Sequence, residues 1–432
     1  MQPTPTERAI QTVNPENPSA RQHNTPVKIA FFGHYGGDSH GSENYGNEST
    51  LQAILACIRA SAPEVTIVCV CDNPAVVASR YNIAAVPIRS IPQPQSADHK
   101  GMHSWRIVRI LRRTAGEIPL WINIMRQVRS LDHLIVAGTG ALDDFAAANP
   151  LGPTLDLFRW TFIAKLLRVR LSFVSVGAGP IHHPLNRKLM KWSLAMGSYR
   201  SYRDEWSRNY MQSIGFDTSQ DQIYPDLVFS RPKHMLPPQR ARPKSPHVIG
   251  VGVMTYLGWS GSSTEIYDRY VQNVAGFTAW LIRQGYQVRL LVGQRGYDEQ
   301  AVTDIGEAAK QELAQSESTQ LINDTADSVE AVFDQIAATD LVVATRFHNV
   351  VYALMLGKPV ISIGYAAKNE VLQAEMGLGN YCQHIEQLDV DLLMEQFSNL
   401  VKNYHSHIAC IEDKNEEYRK ALDEQYAYIL QS

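Results

Sequence analysis

Short continuous apolar runs, each closed by a glycine or a polar turn, alternate along this chain with longer stretches in which apolar residues recur at the helical period. The runs at 27–33, 65–70, 134–137 and 171–176 predict buried parallel strands, and the stretches at 49–58 and 158–167 predict helices among them. A glycine-rich polar loop, 34–47, joins the first strand to the first helix and completes a strand–helix–strand opening. The alternation stops at 231–246, where prolines and basic residues show no apolar period and predict a linker. It restarts with strands at 248–253, 287–293, 341–344 and 360–364 and with helices at 271–284 and 349–356. The pattern predicts an α/β protein of two Rossmann-like domains facing a cleft, at 27–230 and 248–402, with a disordered leader at 1–26 and a linker at 231–247. Residues 403–432 predict a charged amphipathic helix that packs back across a domain surface.

Size agrees with this division, because 432 residues exceed one comfortable core and fit two domains of roughly 200 residues. A net charge of -3 with no charged tail offers no field for nucleic acid, so binding is expected at local sites. Cys57, Cys69, Cys71, Cys382 and Cys410 form neither a metal-ligand spacing nor a disulfide framework, which suits a reducing compartment and implies no metal. The leader lacks the apolar segment of a secretory signal, and no stretch approaches the roughly 20 apolar residues that span a bilayer. A cytoplasmic protein is expected. The segment 103–129 qualifies that picture: Trp105, Ile107, Val108 and Leu111 interleave with Arg106, Arg109, Arg112 and Arg113, and Arg126 and Arg129 follow. Such a helix suits peripheral contact with an anionic membrane, or is an ordinary helix with a solvated basic face.

The chemistry concentrates at Thr345-Arg346-Phe347-His348, between the strand at 341–344 and the helix at 349–356. Ligands bind at the carboxyl edge of open α/β sheets, and a helix start there presents unpaired N–H groups. Arg346 adds a planar fork of donors and His348 a titratable ring, which together describe an anion site. The alternative is that Arg346 pairs with a nearby carboxylate and His348 caps the helix. Gly138-Thr139-Gly140 and Gly177-Ala178-Gly179 also follow strands, but neither completes a GxGxxG, so no nicotinamide or flavin is expected. Asp143 and Asp144 follow the first turn and suit either sugar hydroxyls or helix capping. Arg203, at a helix start, opposes the helix dipole and is better explained facing an anion.

These pieces, taken together, resemble the polysaccharide pyruvyltransferase family. The resemblance runs through Asn44-Tyr45-Gly46-Asn47-Glu48, Gly138-Thr139-Gly140, 175–180, Arg203-Asp204-Glu205-Trp206-Ser207, Tyr224-Pro225-Asp226-Leu227, Arg346-Phe347-His348, and 357–363 with Lys368. It departs from the usual pattern at Thr139 and Asn47. The resemblance implies a fold similar to GT-B glycosyltransferases, with the acceptor on the 27–230 side and the donor on the 248–402 side. It implies transfer of pyruvate from phosphoenolpyruvate onto two sugar hydroxyls as a cyclic ketal, with phosphate released and no cofactor. The sugar would belong to a polysaccharide or its lipid-linked precursor. Arg346, Arg203 and Lys368 would hold phosphoenolpyruvate, and His348, its pKa raised by these anions, would act as general acid. Asn44, Glu48, Gly138, Gly140, Asp144 and Asp226 are implied on the acceptor side, and Glu48, Asp144 and Asp226 are the candidate proton acceptors. Two alternatives remain open: a GT-B glycosyltransferase using a nucleotide sugar, and a non-catalytic polysaccharide-binding relative.

Overall fold

The computed structural model describes residues 26–37, 41–89, 105–144, 152–238, 240–259 and 261–431, with side chains left out for 105–116. The expected leader, except for Pro26, and the side chains of the first arginine-rich half of 103–129 lie outside the described residues.

Fifteen strands are described. In the amino-terminal half these are β1 (Lys28–Phe32), β2 (Glu43–Asn44), β3 (Thr66–Cys71), β4 (Ala84–Pro87), β5 (His133–Ala137), β6 (Arg170–Val176), β7 (Tyr199–Tyr202) and β8 (Gln222–Ile223). In the carboxy-terminal half they are β9 (Val248–Gly252), β10 (Gln287–Leu291), β11 (Gln294–Arg295), β12 (Leu321–Ile322), β13 (Leu341–Ala344), β14 (Val360–Gly364) and β15 (Cys382–His384). All but β2 and β11 form two parallel sheets, ordered β4-β3-β1-β5-β6-β7-β8 and β12-β10-β9-β13-β14-β15. Each sheet reverses its strand order once, between β1 and β5 and between β9 and β13, and leaves a crevice at the carboxyl ends there.

Alternation along β1 shows how the strands are covered. Ile29 and Phe31 pack toward the helix Tyr45–Ser61, while Ala30 and Phe32 pack on the opposite face with Ile124 and Trp160. The first of these cores continues into the second domain, through Leu227 and Phe229 to Val251 and Tyr352. β2 pairs antiparallel with β11 across the domains, Asn44 opposite Gln294.

The helix Tyr404–Gln431 straps the two halves together. Its Asn415 amide donates to the carbonyl of Leu354 at 2.7 Å, and about three turns on its Gln425 amide donates to Ser201 Oγ at 2.8 Å. The helix expected from residue 49 begins instead at Tyr45, because Asn44 Oδ1 accepts from the N–H groups of Gly46 and Asn47 and caps it. Polar residues in that first turn made it read as loop. Among the described residues no helix is long and apolar enough to cross a membrane.

Candidate active site

The second crevice is built on β13. Thr345 continues its pairing by donating its N–H to the Gly252 carbonyl at 2.8 Å, and Arg346, in extended conformation, then opens the helix Phe347–Met355. No side chain caps this helix, so its first N–H groups face the crevice uncapped. Asn349 is fully buried, and neither its Oδ1 nor its Nδ2 has a hydrogen-bond partner. Its amide lies where Gly252 and Gly293 end β9 and β10, and a Cβ at Gly252 would stand 2.9 Å from Nδ2.

Arg346 does not stand as a free cation. Its Nε and Nη2 donate to the two oxygens of Asp298 at 2.9 and 2.6 Å, and Asp298 is fully buried. The same carboxylate accepts the N–H groups of Thr255, Gly293 and Gln294. Burial disfavours the charge of Arg346, but Asp298 more than restores it and holds the pKa above its ordinary value. The expectation of an unpaired donor-binding cation is therefore corrected: the pair carries no net charge and ties the helix start to the ends of β9 and β10.

His348 occupies the second position of the helix, its ring edge-on to Phe347 with centroids 5.4 Å apart. On its other side is Gly46 of the amino-terminal domain, where any Cβ would collide with the imidazole. His348 Nε2 is buried without a partner. Burial lowers its pKa to about 4; Asp226 opposes this, and Arg203, Lys368 and Arg346 reinforce it. The expected raised value is not found in the free protein. At neutral pH the ring is uncharged, because the loss of water and three nearby cations outweigh the Asp226 carboxylate.

Arg203 and Lys368 flank the Phe347 ring from the two domains, the guanidinium carbon at 4.6 Å and the ammonium at 5.4 Å from its centroid. Arg203 packs over Gly177, where a Cβ would stand 2.7 Å from the guanidinium. It makes long bonds to Asp204 and Asp226, at 3.4 and 3.3 Å. Asp226 also caps a short 3-10 turn through the N–H of Val228. Among the described residues Lys368 makes no ion pair, and a cleft lies among Arg203, Asp226, Phe347 and Lys368. The structure thus brings together Arg203, Asp226, Arg346, His348 and Lys368.

The remaining predicted positions serve the scaffold. Asn44 is the helix cap described above. Glu48 is buried and accepts from the Gly36 N–H at 2.5 Å and the Tyr81 hydroxyl at 2.6 Å, with Arg80 at 3.4 Å, so it faces its own domain and not the crevice. Asp144 Oδ2 accepts the N–H groups of His182 and His183 and fixes the loop after β6. Gly138 adopts φ +60 against Thr50, and Gly140 accommodates the Asp143 carboxylate. Sequence reasoning missed Asp298, Asn349 and Gly46. Asp298 precedes the helix Glu299–Glu312 and reads as its cap, yet makes no capping bond and turns inward.

Two parallel-sheet domains enclosing a crevice lined by cations and an uncapped helix start define a GT-B-type fold. Solved structures share the fold. UDP-GlcNAc 2-epimerase from Neisseria meningitidis bound to UDP-GlcNAc is 10% identical, with a TM-score of 0.56 over 94% of this chain and 100% of that one. Anabaena HepE in complex with UDP and glucose is 12% identical, with a TM-score of 0.57 over 94% and 100%. No curated protein matches the sequence. The profile of the polysaccharide pyruvyl transferase family matches residues 44–366, and the chain belongs to that family. Membership gives it the role of a pyruvyl transferase.

Proposed function

We propose that the protein transfers pyruvate from phosphoenolpyruvate onto two hydroxyls of a sugar in a polysaccharide or its lipid-linked precursor, forming a cyclic ketal and releasing phosphate. The observation that carries this reading is an uncharged His348 with an unpartnered Nε2, set among cations at an uncapped helix start. Such a site is short of negative charge, and a carboxylate and a phosphate on one small donor supply it. Lys368, Arg203 and the helix N–H groups hold the donor, while the Arg346–Asp298 pair fixes the helix start and leaves Nη1 of Arg346 as its remaining donor group.

Binding of the donor reverses the electrostatics around His348, whose pKa then rises, so the ring takes up a proton as the donor enters. It delivers that proton to the methylene carbon of the enol. One sugar oxygen bonds to the central carbon and releases its proton to Asp226. A second sugar oxygen bonds to the same carbon as the bond to phosphate breaks, and its proton leaves with the phosphate. Proton uptake on binding makes the donor bind more tightly as pH falls through the bound-state pKa of His348.

In deuterated water, the ketal methyl group formed from phosphoenolpyruvate should carry one deuterium, with one phosphate released per ketal. Release of a nucleoside diphosphate from a nucleotide sugar, without phosphate from phosphoenolpyruvate, would replace this reading with glycosyl transfer. Absence of any phosphoenolpyruvate binding by calorimetry would leave a non-catalytic relative.

A further inference from the structure

The helices Trp105–Val128, Pro153–Leu166 and Pro184–Met196 lie side by side on the face of the first sheet turned away from the helix Tyr45–Ser61. The middle one is apolar on its outer face as well as on its inner one, where Leu157, Trp160, Ile163 and Ala164 are buried. Asp156 and Arg159 are buried beneath it, bonded to each other at 2.8 Å and to Arg89 and Glu117. Phe158, Phe162 and Leu166, spaced four apart, form its outward stripe, with Phe162 41% and Leu166 59% exposed. A helix that faces only water carries its charges outward and its apolar side chains inward.

Neighbouring helices extend the stripe. Trp121 meets Phe162 edge-on at 5.8 Å, and Trp192, 53% exposed, meets Phe158 at 6.0 Å. Ile118, Ile122 and Met125 are exposed beside them. Among the described residues, this face holds more of the exposed large apolar side chains than the rest of the molecule together. Exposed Arg126, Arg129, Lys165, Arg168 and Lys188 surround it. The two carboxylates on these helices, Glu117 and Asp156, are both engaged by Arg159.

We propose that this three-helix face docks onto the surface of an anionic phospholipid bilayer. Aromatic and aliphatic side chains enter the headgroup boundary while the basic rim meets lipid phosphates. Charge favours this occupant over a second copy of the chain, since an isologous pairing would set like-charged rims against each other. The face also adjoins the crevice: the helix Pro184–Met196 begins two residues after His182, whose ring meets Trp259 of the other domain at 5.7 Å. A bilayer under this face therefore lies near the crevice mouth.

Sedimentation of the full chain with phosphatidylcholine vesicles, with and without phosphatidylglycerol, tests the proposal. Binding should require the anionic lipid and weaken with salt. The double variant Lys165→Glu/Lys188→Glu should lower it by about tenfold or more, and Phe162→Ser/Trp192→Ser should abolish it, with phosphoenolpyruvate binding unchanged in both. The charge variant replaces exposed side chains, which keeps the test valid should the apolar variant unfold. Failure of the unaltered protein to bind anionic vesicles overturns the proposal, as does full binding by the charge variant. So does concentration-dependent dimerisation that Lys165→Glu/Lys188→Glu strengthens, which would assign the face to a second copy.

Discussion

Glu48 and His348 are both ionisable groups in the first turns of helices that meet at the domain boundary, and burial pushes both toward their uncharged forms. They differ in their partners. Glu48 accepts from three groups of its own domain, whereas His348 Nε2 has none and Asn349 beside it is equally unpartnered. A fully bonded buried group is accounted for by the scaffold, whereas two neighbouring side chains at one crevice-facing helix start without partners are not. The contrast separates the Glu48 turn, tied into its own domain, from the His348 turn, which faces Arg203 and Asp226 across the crevice.

The strongest way to break this contrast is His348→Ala. Pyruvyl transfer should fall on the order of 100- to 10,000-fold with thermal stability retained, and a rate near that of the unaltered protein would remove His348 from the chemistry. Next comes Asp298→Asn, which leaves Arg346 buried without its counter-charge. Chemical denaturation should show a loss of about 3–5 kcal/mol, and a small loss would mean that Arg346 relaxes into solvent.

Acid titration sharpens the comparison further, because the two groups act with opposite sign. The folded pKa of His348, about 4, lies below its unfolded value, so the stability it contributes is present above the unfolded pKa and is lost as pH falls toward 4. That loss amounts to ~3 kcal/mol, and it should disappear in His348→Gln. The folded pKa of Glu48 is raised by burial, so its contribution is present on the acid side and is lost as pH rises through the folded value. Smallest of all is the effect of Glu48→Gln on turnover: about 1–3 kcal/mol of stability is lost, while kcat stays unchanged. A fall in kcat without loss of stability would place Glu48 in the reaction.

The fold was legible because parallel strands buried on both faces read as unbroken apolar runs, as in β1, β3, β5 and β13. β4, β7 and β15 are partly exposed or polar, and so show no such run. Arg346 and His348 were legible as a neighbourhood, since a strand followed by an uncapped helix start has a fixed geometry. Their states were not. The charge of Arg346 is balanced by Asp298, which resembles any helix-opening acid in sequence, so the pairing alternative holds for Arg346. His348 is neutral because burial, with Arg203, Lys368 and Arg346 nearby, outweighs Asp226, and these neighbours come from both halves of the chain. Asn44, Glu48 and Asp144 have the residue types of an acceptor site, but the bonds they make go to backbone groups and, for Glu48, to Tyr81 and Arg80, none of which a residue pattern displays.

Gly46 has a further consequence. A residue with no side chain in one half of the gene product leaves room for a ring carried by the other half. Chimeras that exchange amino-terminal halves among relatives must therefore keep glycine at this junction, whatever else they import. What can be grafted is bounded by a single missing methyl group.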